Sequence, residues 1–322
     1  MTDMPDDPRL HTRLCDLVGV RHPIVQTGMG WVAGPRLATA TAEAGGLGIL
    51  ASATMTFDEM VAAIDEVRAG TDAPFGVNLR TDVDDIDRRI EHLITAEVRV
   101  ASFAQAPGPA TVARCKEAGL VAIPTIGARL IDAVDLPVIA AGGIVDGRGL
   151  AGALAWGAAG IAMGTRFLLT SDSSVPDNVK AEYLATPANG TVVTTAIDGA
   201  PQRVVATDMV RRLEAARLTR FPRAAANALR FRRLTGTPLR ALVAEGLRMK
   251  RSQDLTWGQV ALAANAPMLT RATMVEGRTE VGILPTGQGV GAIDELPSVA
   301  ELVERILAEA SAALDRLCGS GD

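Results

Sequence analysis

The chain has 322 residues with 32 Lys and Arg against 37 Asp and Glu, a net charge of −5. Hydrophobic residues make up 48% and charged residues 21%, which provides for a large core and excludes a disordered chain. The acidic balance argues against nucleic acid as a partner, because phosphate backbones select basic faces. Three cysteines and an acidic start, MTDMPDDPRL, with no apolar leader suggest reduced thiols and a cytoplasmic setting. The longest uncharged run, residues 149–165, is shorter than a bilayer span and holds five glycines, so no membrane span is expected.

In chain order, seven short runs rich in Val and Ile recur between glycines and prolines: PIVQT from Pro23, LGILAS from Leu47, PFGVNL from Pro74, VRVASFA from Val98, LVAIPTI from Leu120, PVIAA from Pro137 and GIAMG from Gly160. Continuous apolar runs of this length suit strands buried on both faces of a parallel sheet. The stretches between them read as amphipathic helices. In FDEMVAAIDEVRAG, Met60, Ala63, Ile64 and Val67 share one face. TVARCKEAGL and GRGLAGALAWGAAG each close on a glycine that suits a helix end. Alternation of this kind predicts right-handed βαβ units and an α/β fold of the TIM-barrel type.

One interval breaks the rhythm. Only ten residues, GARLIDAVDL, separate LVAIPTI from PVIAA, below the dozen or so that a parallel crossover needs. With seven strands where a full barrel has eight, one βα unit is missing after the fifth strand, and the barrel is incomplete.

Beyond about Ser171 the period stops. Residues 176–270 read as helices, so the expected organisation is a barrel-like unit from 1–175 and 282–322 and a smaller helical substrate or lid domain over 176–281. GILPTGQGVGAI forms a glycine-rich return segment. The last helix carries Val299, Leu302, Val303, Ile306 and Leu307 as a docking stripe.

Candidate chemistry lies at strand ends, where barrel loops build sites. QTGMG, residues 26–30, would let backbone approach a flat ligand. AAGGI ends one late strand and AMGTR the next. Loops after the last two strands commonly bind phosphate, and Gly142, Gly143, Gly164 and Thr165 offer backbone amides and a hydroxyl for that role. Asp146 and Arg148 read as a cap of the following helix or as ligand contacts. Cys115 reads as an inert helix residue. No CxxC, HExxH or GxSxG motif occurs, so metal and acyl-enzyme chemistry have no support and no metal site is expected.

These motifs together, with VASFA, IPTIG and GILPTGQ, resemble the nitronate monooxygenase family, whose members are FMN-dependent TIM barrels with a helical second domain and whose relatives include flavin-dependent enoyl-acyl-carrier-protein reductases. The resemblance implies an FMN oxidoreductase acting on a nitronate or an unsaturated acyl thioester. It places Gly28, Met29 and Gly30 against the isoalloxazine ring and Asn78 in hydrogen bonding to the flavin. Gly142, Gly143, Ala162, Met163, Gly164 and Thr165 would lie around the phosphate, with Gly287 and Gln288 returning near the pocket.

The sequence also departs from the family. Members carry a sixth strand whose glycine-rich end holds a histidine base, and here Ile126, Gly127 and Ala128 run directly into Arg129 and Leu130. His11, His22 and His92 fall away from the strand ends, so no catalytic residue is assigned. The alternative is a degenerate, inactive barrel that binds or regulates, its open edge covered by a homodimer partner. Between Arg203 and Arg251, 13 Lys and Arg face three acids. This is a solvated helical face or a patch for a phosphorylated substrate such as a coenzyme A thioester.

Overall fold

The computed structural model describes residues 7–104, 107–124, 135–197, 201–215 and 266–319. Two compact units divide the chain, one from residues 1–174 and 292–322, the other from 175–291.

In the first unit all seven expected strands form: β1 Ile24–Gln26, β2 Leu47–Ala51, β3 Phe75–Leu79, β4 Val100–Phe103, β5 Val121–Pro124, β6 Ile139–Ala141 and β7 Gly160–Met163. Every pairing is parallel, and the order across the sheet is β5-β4-β3-β2-β1-β7-β6. Among the described residues, that is the strand order of a TIM barrel with β5 and β6 unpaired to each other, the place where the sequence has its short interval. The fold is α/β and TIM-barrel-like.

The helices of this unit are α1 Arg13–Val18, α2 Pro35–Glu43, α3 Phe57–Gly70, α4 Ile86–Thr95, α5 Pro109–Glu117, α6 Gly147–Ala155 and α7 Thr165–Leu168. The boundaries of α3 follow from its ends. Thr56 and Glu59 make a reciprocal capping box, and the stripe Met60, Ala63, Ile64 and Val67 is buried as its spacing requires. It joins Leu50, Val77, Leu79, Ile90 and Phe103 in an outer core. A second cluster, Leu14, Val18, Val25, Leu47, Ile49 and Val100, has Val121, Ile123 and Ile139 as partly buried neighbours.

Helix α8 is Asp177–Leu184, α9 Asp208–Ala215, α10 Ala266–Met274 and α11 Val299–Leu317. α11 packs on α6 and α2 of the first unit. Its buried stripe is Val299, Leu302, Val303, Ile306, Ala310 and Ala313, and Leu307 is half-buried at its margin. Successive turns at 3.6 residues carry the stripe toward Ala310 and away from Leu307.

The second unit is not wholly helical. Thr191–Thr194 (β8) and Gln202–Val205 (β9) form an antiparallel pair, built from runs that contain β-branched residues. Val204, Val210, Ile197 and Ile283 form its core, and the buried Tyr183 hydroxyl donates to the Pro285 carbonyl at 2.7 Å. The helices expected over 223–251, and most of the basic stretch, lie outside the described residues. Among the described residues, no helix is long and apolar enough to cross a membrane.

Candidate active site

The parallel registers bring the glycine-bearing ends together. Gln26 pairs with Met163 and Ala141 with Ala162, so the turn after β1, the end of β7 and the end of β6 lie side by side. Thr27 continues the contact, its amide donating to the Met163 carbonyl at 3.2 Å. A side chain on Gly164 would sit 3.3 Å from the Met29 sulfur, so Met29 and Gly164 are in contact range.

Gln26 explains how the chain leaves the sheet here. Its side chain is fully buried, its Oε1 accepts from the Ile49 amide at 3.3 Å, and its Nε2 donates to the Ile49 carbonyl at 3.3 Å and to the Thr27 carbonyl. The carboxamide thus stands in for strand backbone on β2 while the main chain turns away. The turn closes through the Val32 and Ala33 amides on the Met29 carbonyl, at 3.0 and 2.8 Å, with Trp31 in the left-handed region at φ 67°. For a non-glycine residue that conformation is costly and recurs at functional turns.

Gly28 lies against β3. A Cβ there would stand 2.4 Å from the Asn78 Cβ, so only glycine fits. Asn78 is buried, and its amide nitrogen reaches the Ser102 hydroxyl and carbonyl only at 3.4 and 3.5 Å, the long limit of hydrogen bonding. The Ser52 hydroxyl donates to the Asn78 carbonyl at 2.7 Å, tying the ends of β2 and β3. Gly30 faces the methyl of Thr54 on the same turn after β2.

The two late loops differ in what their amides do. Asp146 caps α6, accepting from the Arg148 and Gly149 amides at 3.0 and 3.2 Å, and Glu309 of α11 accepts from the Gly147 amide at 2.8 Å. Those amides are spent on protein carboxylates. Burial opposes ionisation of Asp146, but the Arg148 guanidinium and the Gly149 and Arg148 amides outweigh it and hold the carboxyl below its ordinary range. Its role is therefore that of a cap. By contrast, α7 starts at Gly164 with no side-chain cap. Gly142 and Gly143 both have positive φ, 101° and 74°, and are exposed. The donor set at this end is backbone amide and hydroxyl, chemistry that suits a phosphate. The residues present fit the phosphate and ring of FMN, the cofactor of the family that the motifs indicate.

The other singled-out residues lie elsewhere. His11 pairs with Asp16 before α1, at 2.8 Å, and His22 precedes β1 at the opposite end of the strands. His92 sits on α4 with its ring edge-to-face on Phe57. Cys115 is buried on α5, and burial pushes its thiol pKa up, so it is not a reactive thiolate. Gly287 and Gln288 fall in the second unit. Among the described residues no His, Cys, Asp and Glu cluster could hold a metal ion.

The family model described as nitronate monooxygenase matches residues 11–87 and 125–309. The chain belongs to the nitronate monooxygenase family. A dehydrogenase of Mycobacterium tuberculosis named for (3aS,4S,5R,7aS)-5-hydroxy-7a-methyl-1-oxo-octahydro-1H-indene-4-carboxyl-CoA is 51% identical to it, covering 94% of this chain and 96% of the relative. A Rhodococcus jostii protein of the same name is 50% identical, covering 96% and 98%. Among solved structures, FabK from Thermotoga maritima superimposes with a TM-score of 0.76 at 31% identity, covering 96% of this chain and 99% of the other. The Mycobacterium alignment runs over 342 positions but uses 94% of 322 residues, about 303, so about 39 of its positions have no counterpart here.

Proposed function

We propose that this chain is an FMN-dependent oxidoreductase acting on a coenzyme A thioester whose acyl part is a hydroxylated, largely apolar ring system. The observation that carries the reading is 51% identity running through 94% of the chain to a dehydrogenase named for such a thioester. Gly28, Met29 and Gly30 would lie against the flavin ring, with Asn78 hydrogen-bonded to it. Gly142, Gly143, Ala162, Met163, Gly164 and Thr165 would surround its phosphate. Bound there, FMN supplies a two-electron acceptor or donor.

The chain's own contribution is positional. Glycine backbone leaves room for a flat ring, and backbone amides of the two adjacent loops after β6 and β7 would meet the phosphate. The buried amide of Asn78, held only by long contacts, is a donor that a ring acceptor can claim. The unit over 175–291 is read as the substrate or lid domain, and the arginines between 203 and 251 suit the phosphates of coenzyme A.

The open edges of β5 and β6 favour a second copy of the chain covering the edge. Purified protein is loaded with FMN, freed of excess and mixed without oxygen with a cyclic hydroxyacyl-CoA. Bleaching of the visible flavin band supports the enzyme. A protein that retains no FMN overturns it. Retained FMN with no bleaching overturns the cyclic hydroxyacyl-CoA as substrate, and sedimentation tests separately whether a second copy covers the edge.

A further inference from the structure

We infer that Arg89, an outer-layer residue on α4, is a positioning residue for the proposed cofactor site, clamping the turn after β2 against the glycine turn after β1. Arg89 is 7% exposed, and each of its three nitrogens has a partner. Nε donates to both oxygens of Asp85, one helical turn earlier, each at 2.9 Å. Nη2 donates to the Met55 carbonyl at 2.9 Å, and Nη1 reaches the Ser52 carbonyl at 3.4 Å and the Met60 sulfur at 3.7 Å. Ser52 and Met55 are the first residue and the C-cap of the 3-10 turn that follows β2. The fork therefore holds the C-cap end of that turn firmly and reaches its first residue through a long contact, with Asp85 fixing the fork's orientation.

The clamp bears on the site through two contacts. Ser52 donates its hydroxyl to the Asn78 carbonyl at 2.7 Å. Thr54, inside the clamped turn, presents its methyl to Gly30. Release of the turn would thus shift the neighbours of Asn78 and Gly30 together. Lysine keeps the charge, but its three donors sit on one nitrogen and do not reproduce a planar fork spread over Asp85, Met55 and Ser52.

The functional consequence rests on the FMN reading above; the clamp itself is tested without it. In cofactor-free protein, Arg89→Lys is expected to speed hydrogen exchange at the Met55 amide, which closes the turn on the Ser52 carbonyl at 3.0 Å, by about tenfold, with α4 amides unchanged. FMN affinity is expected to fall by about tenfold, with broadening of the flavin's visible band, as for a lost charge-assisted bond. Ile90→Val, a core change on the same helix, is expected to lower stability yet leave both readouts at the wild-type value. If Arg89→Lys does not fold, Asp85→Asn loosens the fork more mildly and is measured the same way. Exchange at Met55 equal to wild type overturns the clamp. Faster exchange with unchanged FMN affinity overturns its positioning role. Wild-type protein that takes no FMN defeats the cofactor reading, and the exchange result then decides the clamp alone.

Discussion

The two sides of the open sheet are written in the same amino-acid alphabet and have different surroundings. Along β1, β2, β3 and β4 every residue is buried. Along β5, Val121 to Ile123 are half-buried and Pro124 is exposed; β6 has two half-buried residues and an exposed Ala141. Val-Ala-Ile-Pro and Ile-Ala-Ala are no less apolar than the Val-Ala-Ser-Phe of β4. The difference comes from neighbours: a strand in a closed barrel is covered by two strands and a helix, and removal of one unit uncovers both strands that flanked it. Apolar composition announces a strand, but its burial belongs to the assembly.

The strongest way to break this comparison uses one residue type on both sides. Ile49 on β2 is buried, and Ile139 on β6 is a half-buried neighbour of the same cluster. Ile49→Ala is expected to cost about 2–5 kcal/mol, the range for a sealed core site. Ile139→Ala is expected to cost about 1 kcal/mol, because much of that side chain is already in water. Urea unfolding measures both. Equal losses would mean that the open side is sealed by something else.

The glycines sharpen the contrast, because they are required for different reasons. At Gly28, on the closed side, a methyl would meet the Asn78 Cβ at 2.4 Å. Gly28→Ala is expected to cost about 1–3 kcal/mol through overpacking and to move Asn78. At Gly142, beside the opening, a methyl would meet nothing within 4 Å, but φ is 101°. Gly142→Ala is expected to cost about 1–2 kcal/mol through backbone strain alone. Thermal melts give the losses. FMN binding, read by titration, is expected to weaken for both, Gly28→Ala at the bed proposed for the ring and Gly142→Ala at the loop proposed for the phosphate.

Much of this architecture was legible in advance. Seven apolar runs marked seven strands, and a ten-residue interval marked the absent unit, because parallel strands cannot be joined over so short a path without losing a crossover. The glycine turns were legible too, since few other residues tolerate such approach or such φ. What escaped was contact at a distance. Arg89 lies in DDIDRRIEHL, where an arginine reads as solvated, and only the folded arrangement brings the Ser52 and Met55 carbonyls to it. Gln26 was visible as part of QTGMG, but its role of completing the β2 ladder requires the register. The β8–β9 pair was hidden because helical signals on both sides outweighed two short β-branched runs.

A smaller effect is expected at the start of α6. Asp146→Ala should cost about 1 kcal/mol at neutral pH, the usual value of an N-cap. Because the folded carboxyl titrates below its ordinary range, that contribution is whole above about pH 4 and lost as pH falls through the folded value. The stability gap between wild type and Asp146→Ala should therefore close in acid. A gap that persists at low pH would mean that the cap acts by packing.

The finest test reads the edge one amide at a time. The Val121 amide donates to the Arg99 carbonyl, so on β5 the polar groups of Val121 face β4 and those of Ala122 face away. On β6 the Val138 carbonyl accepts from the Ala159 amide, so Val138 faces β7 and Ile139 faces the opening. On β4, Val100 and Ala101 face opposite neighbours and both are paired. Hydrogen exchange is expected to be slow at Val100, Ala101 and Val121, and faster by at least about tenfold at Ala122 and Ile139. Stability is unaffected by the measurement, so it isolates the missing neighbour from every packing term. Slow exchange at Ala122 and Ile139 would show the edge to be paired in solution. If that protection vanishes on dilution, the partner strand belongs to a second copy; if it survives dilution, the chain closes its own barrel.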